Sequence, residues 1–262
     1  MSDRLTRIND VDDPRIADYA NIRERDLIRD RKTFICEGKT VLNVLVSQSR
    51  FPIKSLFILE NRVEGCADIL AQTPDDVPIY VAERGVMDVI AGFPIHRGVL
   101  AAAEKTDTTP DLSKARKIVI ANALANHDNV GALFRNAAAF GFDAVLLDEQ
   151  CCEPLYRKSI RVSVGGVLRV PFQHDGTIED ICARVVEQGF TPAALATNGN
   201  DELAGWAAPE KVALIVGSEG HGLPQPILDQ LHTVRIPMSD GFDSLNVATA
   251  AAIAMHHISV RK

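Results

Sequence analysis

Val212-Ala213-Leu214-Ile215-Val216-Gly217-Ser218-Glu219-Gly220-His221-Gly222-Leu223-Pro224 is the stretch of this chain whose reading decides its fold. Its opening apolar run, unbroken by polar alternation, describes a strand buried on both faces, as in a parallel sheet covered by helices. The run stops at a loop containing Gly217, Gly220 and Gly222, which can bring backbone close to a flat ligand or adopt positive φ. Open parallel sheets bind ligands beyond the carboxyl ends of their strands, so this loop marks a candidate site. Its spacing matches neither a P-loop nor a dinucleotide fingerprint. Alone, His221 reads as a solvated loop residue.

Further apolar strand candidates lie at 117–121, 144–147, 192–196 and 233–236, separated by helical stretches. Two of them border chemically suggestive segments. After 117–121 comes Asn126-His127-Asp128-Asn129-Val130-Gly131-Ala132-Leu133-Phe134-Arg135, where 126–129 carries helix-start residues whose free amides can meet an anionic group. Arg135 then falls about two turns into that helix. Alone, it could equally be a surface arginine with its stem packed and its head in water. Strand 233–236 leads into Ile236-Pro237-Met238-Ser239-Asp240-Gly241-Phe242-Asp243-Ser244-Leu245-Asn246-Val247 and an alanine-rich run. There Asp243 or Ser244 can cap a final helix whose small residues permit close backbone approach.

Upstream the pattern differs. Residues 1–20 show little apolar periodicity and read as a loosely held arm. Residues 21–105 alternate short strands and helices bounded by Pro52, Pro74 and Pro78, as a small α/β domain would. A polar linker at 106–113 precedes a second α/β domain over 114–262. Arg157, Lys158 and Arg161 fall within one predicted helical turn. Arg23, Arg25, Arg29, Arg31 and Lys32 form a second basic cluster, with Glu24, Asp26 and Asp30 as available ion-pair partners.

The 262 residues carry a net charge of −7, which argues against coating nucleic acid through charge alone and requires any such contact to be local. No apolar run is long enough to span a bilayer, and the charged N-terminus resembles neither a signal nor a transit peptide, so a cytoplasmic protein is expected. The five cysteines, Cys36, Cys66, Cys151, Cys152 and Cys182, lack zinc-site spacing. Reduced thiols without a role, and no metal, are the expectation.

The three segments around Arg135, Glu219 and Asn246, in this order and near this spacing, resemble the signature motifs of the SpoU-type RNA 2′-O-ribose methyltransferases, the TrmH-like tRNA/rRNA enzymes of the SPOUT superfamily. The stretch Ser159-Ile160-Arg161-Val162-Ser163-Val164-Gly165-Gly166-Val167 looks like the family's segment between the first two motifs. The resemblance covers about 114–260. Phe34-Ile35-Cys36-Glu37-Gly38 and Gly98-Val99-Leu100-Ala101 look, less specifically, like the family's ribosomal-protein-like substrate-binding domain. Asp240 stands where the family's loop is often small, and Ala248 where a serine is frequent.

The resemblance implies an α/β catalytic domain with a mostly parallel sheet and a deep trefoil knot, one of the rare exceptions to unknotted chains. It implies S-adenosyl-L-methionine held by Ala196, Thr197, Gly217, Ile236, Met238 and Leu245, and a catalytic group of Arg135, Asn129, Glu219, Ser244 and Asn246. Lone Glu219 could instead be a loop carboxylate holding nearby amides. A homodimer sharing the site, and structured RNA (tRNA or rRNA) as substrate, are also implied. Arg157, Lys158 and Arg161, with fewer acidic neighbours than the N-terminal cluster, are the expected phosphate contacts. The alternative is an RNA-binding protein of the same fold without methyl transfer. A dinucleotide-dependent oxidoreductase is set aside for want of the glycine fingerprint and its distal acid.

Overall fold

In the computed structural model, which describes residues 4–20, 24–91, 98–107, 109–241 and 243–260, the run at 212–216 is a fully buried strand near the middle of a sheet. Arg23 and Phe242 lie outside the described residues. The sheet contains β6 (Lys117–Ala121), β7 (Ala144–Leu147), β8 (Phe172–His174), β9 (Thr191–Leu195), β10 (Asp201–Glu202), β11 (Val212–Val216) and β12 (His232–Arg235). Their order is β10-β12-β9-β11-β6-β7-β8, every pairing parallel. The two short strands β8 and β10 escape sequence reading because neither has an apolar run.

Helix α5 (His127–Ala139) follows β6, α8 (Ile178–Glu187) follows β8, α9 (Gln225–Leu228) follows β11, and α10 (Val247–Val260) ends the described chain. Asn126 caps α5 by accepting from the Asp128 amide. The cap of α10 is neither Asp243 nor Ser244 but Asn246, whose Oδ1 accepts from the amides of Ala248 and Thr249 at 3.0 and 3.2 Å. That places the helix start two or three residues later than expected. Ala251, Ala254 and Met255 are buried on α10, which packs along α5 and receives a bond from Asn136 Nδ2 to the Ala248 carbonyl. Small residues allow this approach.

These elements belong to one compact unit, 108–154 with 170–262; the other comprises 1–107 with 155–169. In the latter, β1 (Leu5–Arg7), β2 (Thr33–Glu37), β3 (Ile53–Leu59), β4 (Ile79–Ala82) and β5 (Val99–Glu104) form a mixed sheet of order β1-β4-β3-β5-β2. Residues 4–20, read from sequence as a loose arm, instead supply edge strand β1, parallel to β4, and core residues Ile8, Ile16 and Tyr19. The Tyr19 hydroxyl meets Ser55 and accepts from the Ala102 amide, which ties the segment to the sheet interior. Its apolar residues are too sparsely spaced to show helical or strand periodicity.

Four helices complete the framework of this unit: α1 (Glu24–Asp30), α2 (Lys39–Gln48), α3 (Ala67–Gln72) and α4 (Arg84–Ala91). Residues 155–169, inside the span expected for the second domain, pack here as α6 (Arg157–Val162) on β2 and α7 (Gly166–Arg169) on α2. Gly165 makes this possible with a φ of +81° and no side chain, since a Cβ would lie 2.9 Å from Val44.

Candidate functional site

Three loops at the carboxyl ends of adjacent strands β12, β9 and β11 enclose a cavity of about 590 Å³. Ala196 and Thr197 follow β9, Gly217 follows β11, and Ile236, Met238 and Leu245 follow β12. All six expected cofactor residues line this cavity. Leu195, Val216, Leu223 and Leu228, missed in the sequence, add to its apolar wall. Strand and helix ends carry these side chains, and no motif distinguishes them from ordinary core residues.

Gly217 performs a different task from the one its position suggests. A Cβ there would lie 2.3 Å from the Gly222 carbonyl carbon and 2.4 Å from the Leu223 nitrogen, so the missing side chain makes room for the loop's own backbone. The loop closes on itself by reciprocal bonds between Ser218 and Gly222, at 3.2 and 3.0 Å, with Gly222 at a φ of +68°. Gly199 plays a similar part after β9, where a Cβ would lie 2.6 Å from the Val234 carbonyl carbon.

The polar edge of the site is a chain of side-chain bonds linking all three motifs. Asn246 Nδ2 donates to Asn129 Oδ1 at 2.9 Å, and Asn129 Nδ2 donates to Glu219 Oε1 at 2.7 Å. Asn129 is buried, whereas Glu219, Ser244 and Asn246 also line the cavity. Glu219 therefore both holds an amide and faces the cavity. Bonds to a charged acceptor contribute roughly 1.5–3 kcal/mol, enough to fix the Asn129 rotamer. A single asparagine thus couples the start of α5 to the glycine loop and, through Asn246, to the start of α10.

The loop ahead of α5 is braced by an acid that sequence reading missed. Buried Asp148, at the end of β7, accepts from Asn122 Nδ2 and from the amides of Ala123, Gln150 and Cys151. Ala123 is held there at a φ of +52°, a left-handed conformation unusual for alanine. An aspartate directly after an apolar strand was the available signal.

Arg135 is exposed on α5 and, like Asn129, is not among the described residues lining the cavity. On α6, Lys158 and Arg161 are exposed, while half-buried Arg157 bonds the Glu24 carboxylate through both its side chain and its backbone amide. Arg157 thus takes an acidic partner from the N-terminal cluster itself. Arg25 and Arg29 pair with Asp26 and Asp30, and Arg31 with Asp18. Among the described residues no cluster of three or more His, Cys, Asp or Glu could hold a metal ion, and no helix is long and apolar enough to cross a membrane.

Residues 116–256 match the SpoU rRNA Methylase family. Over 259 residues the chain is 37% identical to an uncharacterised tRNA/rRNA methyltransferase of Mycobacterium tuberculosis, covering 94% of this chain and 89% of that one. Its fold is shared with the AdoMet-bound rRNA methyltransferase of Sinorhizobium meliloti, at a TM-score of 0.80, 19% identity and 97% coverage of both chains. A crystal structure of an RNA 2′-O ribose methyltransferase matches with a TM-score of 0.76 at 22% identity, covering 97% of this chain and 98% of that one.

Proposed function

The chain belongs to the SpoU rRNA Methylase family, and on that premise we propose that it is an S-adenosylmethionine-dependent methyltransferase acting on a ribose 2′-hydroxyl of tRNA or rRNA. One observation carries the reading: the six expected cofactor residues share one cavity, and the Asn129, Glu219 and Asn246 chain stands at its edge. Ligand pockets commonly measure about 300–1,000 Å³, so the volume suits a nucleoside-sized molecule. The apolar wall fits an adenine, whose edges backbone amides and carbonyls can read, and Glu219 and Asp243 suit a cationic ligand. When bound, S-adenosylmethionine supplies an electrophilic methyl group at its sulfonium.

Asn129, Glu219, Ser244 and Asn246 orient the target ribose for in-line approach of its oxygen. Glu219 Oε1 is committed to Asn129, so this carboxylate fixes the asparagine that orients the ribose. We assign Arg135 the role of clamp, because a guanidinium keeps its proton and is poorly suited to act as a base. It binds the phosphate beside the target and stabilises developing alkoxide charge, while the proton leaves to phosphate oxygen or water. The proposal includes a homodimer, in which the exposed Arg135 of one copy meets the site of the other. The outward row of α10, with Ile253 40% and Val260 60% exposed beside α5, supports such an interface.

A trefoil knot built from the loops after β11 and β12 belongs to the same proposal, supported by the close approach of Gly199 to the backbone of β12. Lys158 and Arg161 are the proposed phosphate contacts on α6, with Arg157 holding that helix to Glu24. Such substrates place the protein in the cytoplasm.

The test is tritium transfer from methyl-labelled S-adenosylmethionine to bulk RNA from cells lacking the gene. Incorporation that saturates with RNA is expected. No incorporation at excess protein would leave the same fold as an RNA-binding module.

A further inference from the structure

Three titratable side chains line the described part of the cavity: Glu219, Asp243 and His221. No lysine or arginine is among these lining residues. Two carboxylates suit a sulfonium, but they repel the phosphates that must flank a target ribose. At the tip of the glycine loop, His221 offers a ring N–H able to donate to a phosphate oxygen.

The turn carrying His221 is built to present it. Reciprocal backbone bonds between Ser218 and Gly222 close the turn, and the His221 amide reaches Ser218 Oγ at 3.4 Å. His221 itself is exposed, and nothing lies within 4 Å of a Cβ placed at Gly220 or Gly222, so the tip stands in open space. Glu219, two residues earlier in the same turn, is anchored by Asn129 at the edge where the target ribose is assigned. A ribose there brings its adjoining phosphate within reach of the same short turn.

We propose that His221 is an RNA-contact residue that donates from its imidazole to the phosphate next to the methylated ribose. The proposal rests on the methyltransferase reading above and adds a phosphate contact that one chain supplies to its own cavity. Its work is in holding RNA, not in binding the cofactor or moving the proton.

The experiment measures KM for RNA, kcat and cofactor affinity in wild-type protein, His221→Gln and His221→Lys, using bulk tRNA and rRNA from cells lacking the gene. His221→Gln is expected to raise KM for RNA roughly tenfold, the scale of one lost charge-assisted contact. Its kcat and calorimetric S-adenosylmethionine affinity should stay within about twofold of wild type, and His221→Lys should recover most of the KM. The log-log dependence of RNA affinity on salt should flatten by about one unit in His221→Gln and return in His221→Lys. Unchanged KM and salt slope in the glutamine variant would overturn the proposal, as would a loss confined to kcat or to cofactor affinity. Absence of transfer by the wild-type protein would instead sink the methyltransferase reading itself.

Discussion

Asn129 bonds both Glu219 and Asn246, so its removal leaves a carboxylate and an amide without their shared partner. Asn129→Ala is expected to lower stability by about 1–3 kcal/mol and kcat by about a hundredfold through misplacement of the ribose orienters. Thermal unfolding and single-turnover methyl transfer measure the two effects separately. Arg135→Ala should behave differently, because the side chain is exposed and lies outside the cavity of its own chain. Loss of methylation with calorimetric cofactor affinity preserved is expected, and an equal loss of both would make Arg135 part of the cofactor pocket. Arg135 was legible in the sequence as a charge among small apolar residues, whereas Asn129 was singled out only by the family resemblance. The pairing of Asn129 with Glu219 was not legible, since it joins positions 90 residues apart.

At the scale of elements, apolar runs exposed the central strands and glycines exposed the loop, but the glycines' purpose emerged only with the backbone around them. Gly217 makes room for its own turn, whereas Leu245, 36% exposed, stands on the cavity wall. Gly217→Ala should therefore weaken cofactor binding at least tenfold and lower Tm by several degrees, about 2–4 °C for each kcal/mol lost. Leu245→Asp should weaken binding with little change in Tm. Calorimetry beside thermal unfolding separates them, and normal cofactor affinity in Leu245→Asp would misplace the adenine. The start of α10 was read two or three residues early because Asp243, Ser244 and Asn246 are all competent caps, and tertiary contact with Asn129 selects the last.

Across the whole molecule, alternation of strands and helices revealed two α/β units, while the partition of 155–169 was invisible because packing on β2 leaves no local signal. Both units bury thiols. Burial pushes Cys152 and Cys182 up to about 11, and drives Cys36 and Cys151 in the same direction. In the unfolded chain these thiols ionise from about pH 8.5, whereas the folded chain retains their protons. Their contribution to stability is therefore full below that pH and falls as pH rises toward 11. Urea midpoints measured from pH 7 to 11 should decline above about 8.5, and replacing Cys36 and Cys151 with Ala should flatten the decline. The convergence of three motifs on one cavity is tested most directly by locating the transferred methyl group. RNA labelled by the wild-type protein with S-adenosylmethionine should be digested to nucleosides and resolved by mass. Label in a 2′-O-methylnucleoside, absent with Arg135→Ala, is the expected result; label on a base, or none, would contradict a ribose-directed site.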